Sequence, residues 1–466
     1  MGKENKVTEG IARCIAETRY EDIPLDAKEI AKKCILDNLG VIIGGTSQGL
    51  GHEKLLNLSE RWGGRKESSV FGFGIRVPAH IAAFVNGGLA RALDYDDTFD
   101  DAPGHPSDVT VPSALAIAEQ SGKVSGKDLI TAIVLGNDLI CRLGYAISRR
   151  PQGAPLEWAY NSITGIFGGT AACARLLNLK SYQIEDSLGI ALYQTAGTFQ
   201  ARFTPEATIW NMATCFPAMS SVLSANMAAS GITGGRETFE GKAGLFRMYF
   251  NNEWNREALG ADLGRKFEII NISFKPWPGV RYNHSYIDAT LQLIQENNIT
   301  CQDIKKMTLY VAGWVEEFCK PLEKRRKPKT ILEAKSSLPY LVSVAATKGK
   351  VLVGDVIPDG MNNPMVLKFS EKITWEHDDR FNSENKIGPA KVKIEVTNGK
   401  CFEKELNVAY GHPQSPISWD DLENKFRDCT SYSVRPKKEE AINTAIDMVR
   451  NLEEMDNIGE LISKIN

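Results

Sequence analysis

Five aspartates fall within eight residues in Asp94-Tyr95-Asp96-Asp97-Thr98-Phe99-Asp100-Asp101, and one of only six histidines, His105, follows between Gly104 and Pro106. Several carboxylates beside a histidine are one way to hold a hard cation. The spacing of a calcium loop, with its closing glutamate, is absent. The alternative is helix capping and hydration by Asp96, Asp97, Asp100 and Asp101, because carboxylates this close repel and some must be exposed or paired. Asp100 and Asp101 are assigned to capping or solvation.

A second constellation runs Phe274-Lys275-Pro276-Trp277-Pro278-Gly279-Val280-Arg281-Tyr282-Asn283-His284. Cations in a Pro/Gly-stiffened loop can clamp a substrate carboxylate, arginine in bidentate fashion. They can also stabilise an enolate-like charge without a metal. The same residues read equally well as an inter-domain linker in which His284 merely starts a helix. The glycine strings Gly40…Gly44-Gly45 and Gly72-Phe73-Gly74 lack phosphate-loop spacing, and no nucleophile elbow occurs.

Both constellations need rigid flanks. The aspartate loop lies between the apolar stretches Ala79–Leu93 and Val111–Gln120, where catalytic groups are often placed. Around it, from about residue 6 to 265, the pattern is helical. Ala27, Ile30, Ala31, Cys34, Ile35 and Leu39 recur at spacings of three and four. Ser125 is expected to cap a helix with Asp128 three residues on. Gly165–Leu179 carries small residues on much of its surface and should be a central helix; Met212–Ser230 reads similarly. Beyond Phe267 the character changes. Lys306–Val311 and Ala390–Val396 alternate like strands, Asn398-Gly399 signals a type I′ hairpin, and Cys401–Val408 is the returning strand. Helices are expected after His284 and around Leu338–Thr347. Gly411-His412-Pro413 breaks the chain, and Leu422–Phe426 and Glu439–Leu452 return to helix.

The chain has 466 residues and a formal net charge of −3, which offers no broad cationic field for nucleic acid. The basic run Lys320–Lys329 reads as a solvated loop, since no aromatic platform accompanies it. Nine cysteines, an odd number with no C-x-x-C pair, fit reduced thiols in a cytoplasmic protein. Cys34, Cys141 and Cys173 sit among apolar residues as core packing. The N-terminus shows no apolar leader. Apolar runs such as Ala132–Leu135 fall far short of the roughly 20 residues a membrane span requires.

The chain resembles the MmgE/PrpD family, whose members include 2-methylcitrate dehydratases, cis-aconitate decarboxylases and iminodisuccinate epimerases. The resemblance lies in Ile35-Leu36-Asp37-Asn38-Leu39-Gly40, in Val85-Asn86-Gly87-Gly88 followed by Leu93-Asp94-Tyr95-Asp96-Asp97-Thr98, and in Gly104-His105-Pro106-Ser107. It continues in Gly241-Lys242-Ala243-Gly244-Leu245-Phe246, Phe274-Lys275-Pro276-Trp277-Pro278 with His284, and Gly411-His412-Pro413. It implies a mainly α fold: a large helical domain formed by both chain ends, 1–267 completed by 411–466, with a smaller α+β lid domain at 268–410. It also implies a homodimer, no metal or other cofactor, and carboxylate-bearing substrates processed by proton transfer next to a carboxylate.

Three positions depart from the family pattern. The histidine common six residues before Gly165 is Ala159. A lysine carried by the dehydratases and decarboxylases falls near Trp210 by ungapped count, and Arg202 is the nearest cation. A histidine that often precedes the aspartate signature is Arg91.

The resemblance thus implies a lyase that eliminates water or another group, with substrate entering between the two domains. Asp94 orients or deprotonates, Thr98 hydrogen-bonds substrate and His105 is the acid/base. Lys275 and Arg281 hold anionic groups with His284 in support, Tyr160 stands in as proton donor, and Arg202 supplies the remaining cation. The alternatives are an epimerase or isomerase, and a non-catalytic family member that binds a ligand or partner.

Overall fold

The computed structural model describes residues 6–47, 51–102, 104–148, 157–204, 207–382 and 387–466. Helix takes 59% and strand 9%, so the chain is mainly α. It forms two compact units. The first comprises Met1–Ala92, Asp96–Ile272 and Trp419–Asn466; the second comprises Leu93–Tyr95 and Ser273–Ser418.

The first unit is built on the helices α1 (Val7–Glu17), α2 (Leu25–Gly45), α3 (His52–Trp62), α4 (Ala79–Ala92), α5 (Ser107–Ser121), α6 (Gly126–Ser148), α7 (Tyr160–Leu176), α8 (Ser181–Gln194) and α9 (Cys215–Ala229). Helices Trp419–Ser431, Glu439–Arg450 and Gly459–Ile465 complete it from the C-terminal end. Lys425 reaches from the first of these to Asp37 of α2 at 2.5 Å, both side chains buried.

The expected reciprocal cap opens α6. Asp128 N–H donates to Ser125 Oγ at 3.2 Å, and Ser125 N–H donates to the Asp128 carboxylate at 3.3 Å. By length and composition α6 is apolar enough to cross a membrane, yet its whole apolar stretch is buried inside the protein. Counting unbroken apolar runs undervalued it because Asp138 and Arg142 interrupt the sequence. In the helix these two pair at 2.8 Å, and Arg142 also donates to the carbonyls of Ala261 and Lys266.

Helix α7 is central, as its small residues suggested. A Cβ on Gly168 would meet Gly136 O of α6 at 2.5 Å, and one on Gly169 would meet Ser221 Oγ of α9 at 2.4 Å. Its neighbours approach as closely as backbone allows. The expected start at Gly165 is corrected to Tyr160 and the end to Leu176.

The first unit is not all-α. Strands β1 (Ser68–Val70) and β2 (Ile75–Val77) pair antiparallel, Ser69 opposite Arg76. Strands of three residues are too short to show alternation. Gly72 and Gly74, at φ +75 and +69, make the turn between them.

The second unit holds a four-stranded sheet in the order β4 (Ile373–His377), β3 (Ile304–Val311), β5 (Ala390–Val396), β6 (Cys401–Leu406). Strand β4 runs parallel to β3; the other pairs are antiparallel. Met307, Leu309 and Val311 of β3 and Ala390, Val392 and Ile394 of β5 are buried under helices His284–Glu296 and Leu338–Lys348. The β5–β6 connection is not type I′, because φ is positive at Gly399 and not at Asn398. Gly399 N–H donates to Val396 O at 2.9 Å. That bond followed by a left-handed glycine is the three-residue loop with a bulge. Within the basic run, Lys324, Arg326 and Lys327 pair with Glu333, Glu323 and Glu371.

Candidate active site

In the second unit the two sequence constellations meet through Asp94 and Lys275. Lys275 Nζ donates to Asp94 Oδ1 at 2.7 Å and to the Asp94 main-chain oxygen at 2.9 Å. The Lys275 side chain has no solvent exposure, and an ammonium so placed persists only if paired and hydrogen-bonded. Asp94 sits at φ +50, a conformation that aspartate tolerates better than most residues. The loop around Lys275 is held at several points. Tyr95 donates its phenol proton to Pro276 O at 2.7 Å, and Gly279 N–H donates to Asp94 O at 3.1 Å. Phe274 N–H donates to Gly411 O at 2.9 Å, an approach only glycine permits, since a Cβ there would lie 1.9 Å from Phe274 O.

Arg281 and His284 are buried too, not part of a solvated linker. Arg281 Nη1 donates to Tyr410 O at 3.1 Å, so part of the guanidinium expected to clamp an anion serves the backbone. His284 opens its helix with the ring 5.6 Å from that of Trp277.

In the first unit His105 is gathered with residues from three helices. His105 Nδ1 lies 2.6 Å from an Asp96 carboxylate oxygen, and the Asp96 side chain is fully buried. Arg91, in the last turn of α4, places Nη1 3.2 Å from Asp96 Oδ2 and 2.9 and 3.0 Å from the two ring nitrogens of His105. Asn161 of α7 accepts from His105 N–H at 3.0 Å and donates to Asp108 of α5 at 3.2 Å. One ligand atom each of Asp96, His105 and Asp108 lies within 4.8 Å of the others, a spacing a metal ion can use. Arg91 already brings a cation of the chain itself to that cluster.

Asp97, next in sequence to Asp96, is fully buried and is held by a different set of partners. Ser107, the first residue of α5, donates its N–H to Asp97 Oδ1 at 3.1 Å and its hydroxyl to Oδ2, while Asn137 of α6 donates to Ser107 Oγ at 3.0 Å. Burial, reinforced by the Asp37 carboxylate, pushes the Asp97 carboxyl up to about 7.

Other expectations need correcting. Asp100 is buried and accepts the Thr98 hydroxyl proton at 2.7 Å, and Asp101 accepts from Tyr145 at 2.8 Å, so neither is simply capping or hydrated. Thr98, having given up its one proton, can meet a substrate only as an acceptor. Tyr160 is buried at the start of α7, beside Asn161 in sequence. Arg202 lies 5.9 Å over the Phe199 ring, which packs 5.4 Å from that of Trp210. Trp210, the position near which the ungapped count expects the lysine, is thus one of an aromatic pair with an arginine against it.

Asp108 and Asn161 were not named from the sequence; Asp96 was weighed there only as one of several carboxylates for cation binding or capping, and Arg91 only as a departure from the family pattern. Asp96 and Asp108 bracket His105 closely enough to have been suspected. Asn161 is 56 positions away and gives no local signal.

Comparison with known proteins places the chain in a family. Residues 9–257 match the MmgE/PrpD N-terminal domain and residues 277–452 the MmgE/PrpD C-terminal domain. The cis-aconitate decarboxylase of Homo sapiens is 26% identical over 465 aligned positions, covering 98% of this chain and 93% of that protein. The cis-aconitate decarboxylase-like protein oryM of Aspergillus oryzae is 25% identical over 491 positions, covering 99% and 98%. A cis-aconitate decarboxylase of Aspergillus terreus is 23% identical over 488 positions, covering 99% and 96%.

Proposed function

The chain belongs to the MmgE/PrpD family, and on that premise we propose that it is a lyase that moves a proton at the carbon next to a carboxylate of a small acid. The observation that carries this reading is His105, held 2.6 Å from the fully buried carboxylate of Asp96. An imidazole oriented by a carboxylate is the usual proton carrier near neutral pH. Asp94, fixed by Lys275, orients the substrate or takes its proton, and Thr98 accepts a hydrogen bond from it. Arg281 and His284 support the Lys275 loop, and Tyr160 is a second proton donor.

In elimination, the C–H proton passes to the base and a carbon–carbon double bond forms as the C–O bond breaks. The departing hydroxide takes a proton and leaves as water. The names of the relatives support a second reading, decarboxylation. There the bond to the carboxylate carbon breaks, its electron pair stays on the neighbouring carbon, and a proton is delivered to that carbon as CO2 leaves. Trp210 and Phe199, near which the ungapped count expects the family lysine, favour an acid with fewer carboxylates than a tricarboxylate. Family membership also supports a homodimer working without a metal.

The test is proton NMR in D2O with 2-methylcitrate, cis-aconitate and smaller hydroxy acids, with released CO2 measured alongside. An alkene product without CO2 identifies elimination; CO2 with deuterium incorporation identifies decarboxylation. Turnover should survive a chelator, and light scattering should give twice the chain mass. Deuterium uptake with no net product marks an epimerase. Full activity in a His105→Gln variant would refute the assignment of His105.

A further inference from the structure

An aromatic patch on the first unit has no part in the scheme above. Phe84 of α4 is buried at its base. The Phe84 ring lies 5.6 Å from that of Trp62 at the end of α3 and 5.4 Å from that of Phe216 at the start of α9. Trp62 is 48% exposed and Phe216 51%. Leu58, one turn before Trp62 on α3, is 38% exposed. These helices converge at Gly88 of α4, where a Cβ would lie 3.1 Å from Leu55 of α3 and 3.6 Å from Cys215 of α9. The patch is one surface on packed helices, not a scatter of single side chains.

Its size is that of an interface centre. An aromatic side chain presents about 150–250 Å², so Trp62 and Phe216, each about half exposed, leave roughly 200 Å² in water. Leu58 brings the patch toward the ~300 Å² at which exposed apolar patches are often functional. A standard interface takes about 800 Å² from each partner, a little over half of it apolar. The patch supplies much of that apolar centre, and the exposed Glu53, Lys54, Glu60 and Arg61 of α3 supply a rim of both signs.

The outer stripe of α3 is its own complement. Lys54, Leu58 and Trp62 are all exposed and lie four residues apart, so they share one face of the helix. Lys54 and Trp62 stand about 6 Å along the axis to either side of Leu58. When a second α3 is laid antiparallel on the first, with the two-fold axis at Leu58, each Lys54 comes against the Trp62 ring of the other copy. Leucine then meets leucine at the axis, flanked by two cation–π contacts. Self-matching of this kind is what a two-fold interface requires.

We propose that this face is the contact between two copies of the chain, with α3 packed antiparallel on α3 across Leu58 and Phe216 covered beside it. It names a face for the homodimer proposed above, on which it rests, and is independent of the lyase chemistry.

The experiment is light scattering and analytical ultracentrifugation of the full chain. The unaltered protein should be a dimer at micromolar concentration. Leu58→Glu sets two carboxylates against each other at the axis and should weaken the dimer more than about 100-fold, as should Leu58→Lys with two ammonium groups. Mixing the Leu58→Glu and Leu58→Lys proteins should restore the dimer, because position 58 then faces the opposite charge. Lys54→Ala should weaken it about tenfold, since symmetry removes two cation–π contacts at once. A dimer that persists in Leu58→Glu overturns this face and leaves the homodimer reading intact. A monomer in the unaltered protein overturns both. A mixture of the two Leu58 variants that stays monomeric overturns the antiparallel pairing of α3. None of these outcomes depends on turnover.

Discussion

Lys275 donates to both the side chain and the main-chain carbonyl of Asp94, at 2.7 and 2.9 Å, with no part of its own side chain in solvent. One ammonium thus fixes the backbone and the carboxylate of a residue in the left-handed region. Replacing Lys275 by Met leaves the Asp94 side chain without that partner. Removing one member of a buried pair costs about 3–5 kcal/mol. The double variant Lys275→Met/Asp94→Asn, which removes both charges, should regain part of the loss. Urea unfolding followed by tryptophan fluorescence measures both; a Lys275→Met protein within about 1 kcal/mol of the original, the lower edge of buried-bond costs, contradicts the pairing.

Asp97 carries a cost that depends on pH. Its carboxyl is pushed up to about 7 by burial and by the Asp37 carboxylate, against about 3.9 in an unfolded chain. The folded state binds the proton more tightly. The contribution of Asp97 to stability is therefore best below about pH 4, declines as pH rises toward 7 and is flat above. Asp97→Asn has no such proton to lose and keeps an acceptor for Ser107 N–H. The stability difference between variant and original should move in favour of the variant by a few kcal/mol between about pH 4 and 7, then stop changing. Denaturation curves at several pH values check this. A difference that is constant across the window means Asp97 stays ionised.

Local features were legible in the sequence and distant ones were not. The Ser125–Asp128 cap needs only residues three apart, and the alternation in β3 and β5 needs only one buried face. The small residues of α7 told of close packing because nothing larger fits there. By contrast, β1 and β2 are too short to show a period, and β4 joins β3 from 66 positions away. At the site, family motifs led to Asp94, His105 and Lys275. The roles of Arg91 and Asn161 arise from contacts between α4, the aspartate loop and α7, which no spacing encodes. Crowding suggested capping or solvation for Asp100 and Asp101, yet these accept from Thr98 and Tyr145.

The centre of the first unit has no slack at Gly168. A methyl group there would lie 2.4 Å from Ile140 Cγ1 and 2.5 Å from Gly136 O. Ile140 can rotate away, but the carbonyl belongs to α6 and moves only with the helix. Gly168→Ala should destabilise by about 1–3 kcal/mol or more, outweighing the better helix propensity of alanine. Gly235→Ala meets nothing within 4 Å and is the control, expected within about 0.5 kcal/mol of the original. Thermal unfolding of the two side by side is the measurement. Equal melting temperatures would mean α6 and α7 can separate at no cost.

Thr98 has one hydroxyl proton and gives it to Asp100 at 2.7 Å, both residues buried. Thr98→Ser keeps that bond and should keep stability and most activity. Thr98→Val keeps the shape but takes the bond from a buried carboxylate, a loss of about 1–3 kcal/mol. The kinetics then separate two roles. If Thr98 also accepts a hydrogen bond from substrate, Thr98→Val raises KM for acids bearing a hydroxyl at the reacting end more than for acids without one. If it only braces Asp100, stability falls and the ratio of the two KM values stays as in the unaltered protein. Steady-state kinetics on a matched pair of acids, with unfolding curves on the same preparations, decides between them.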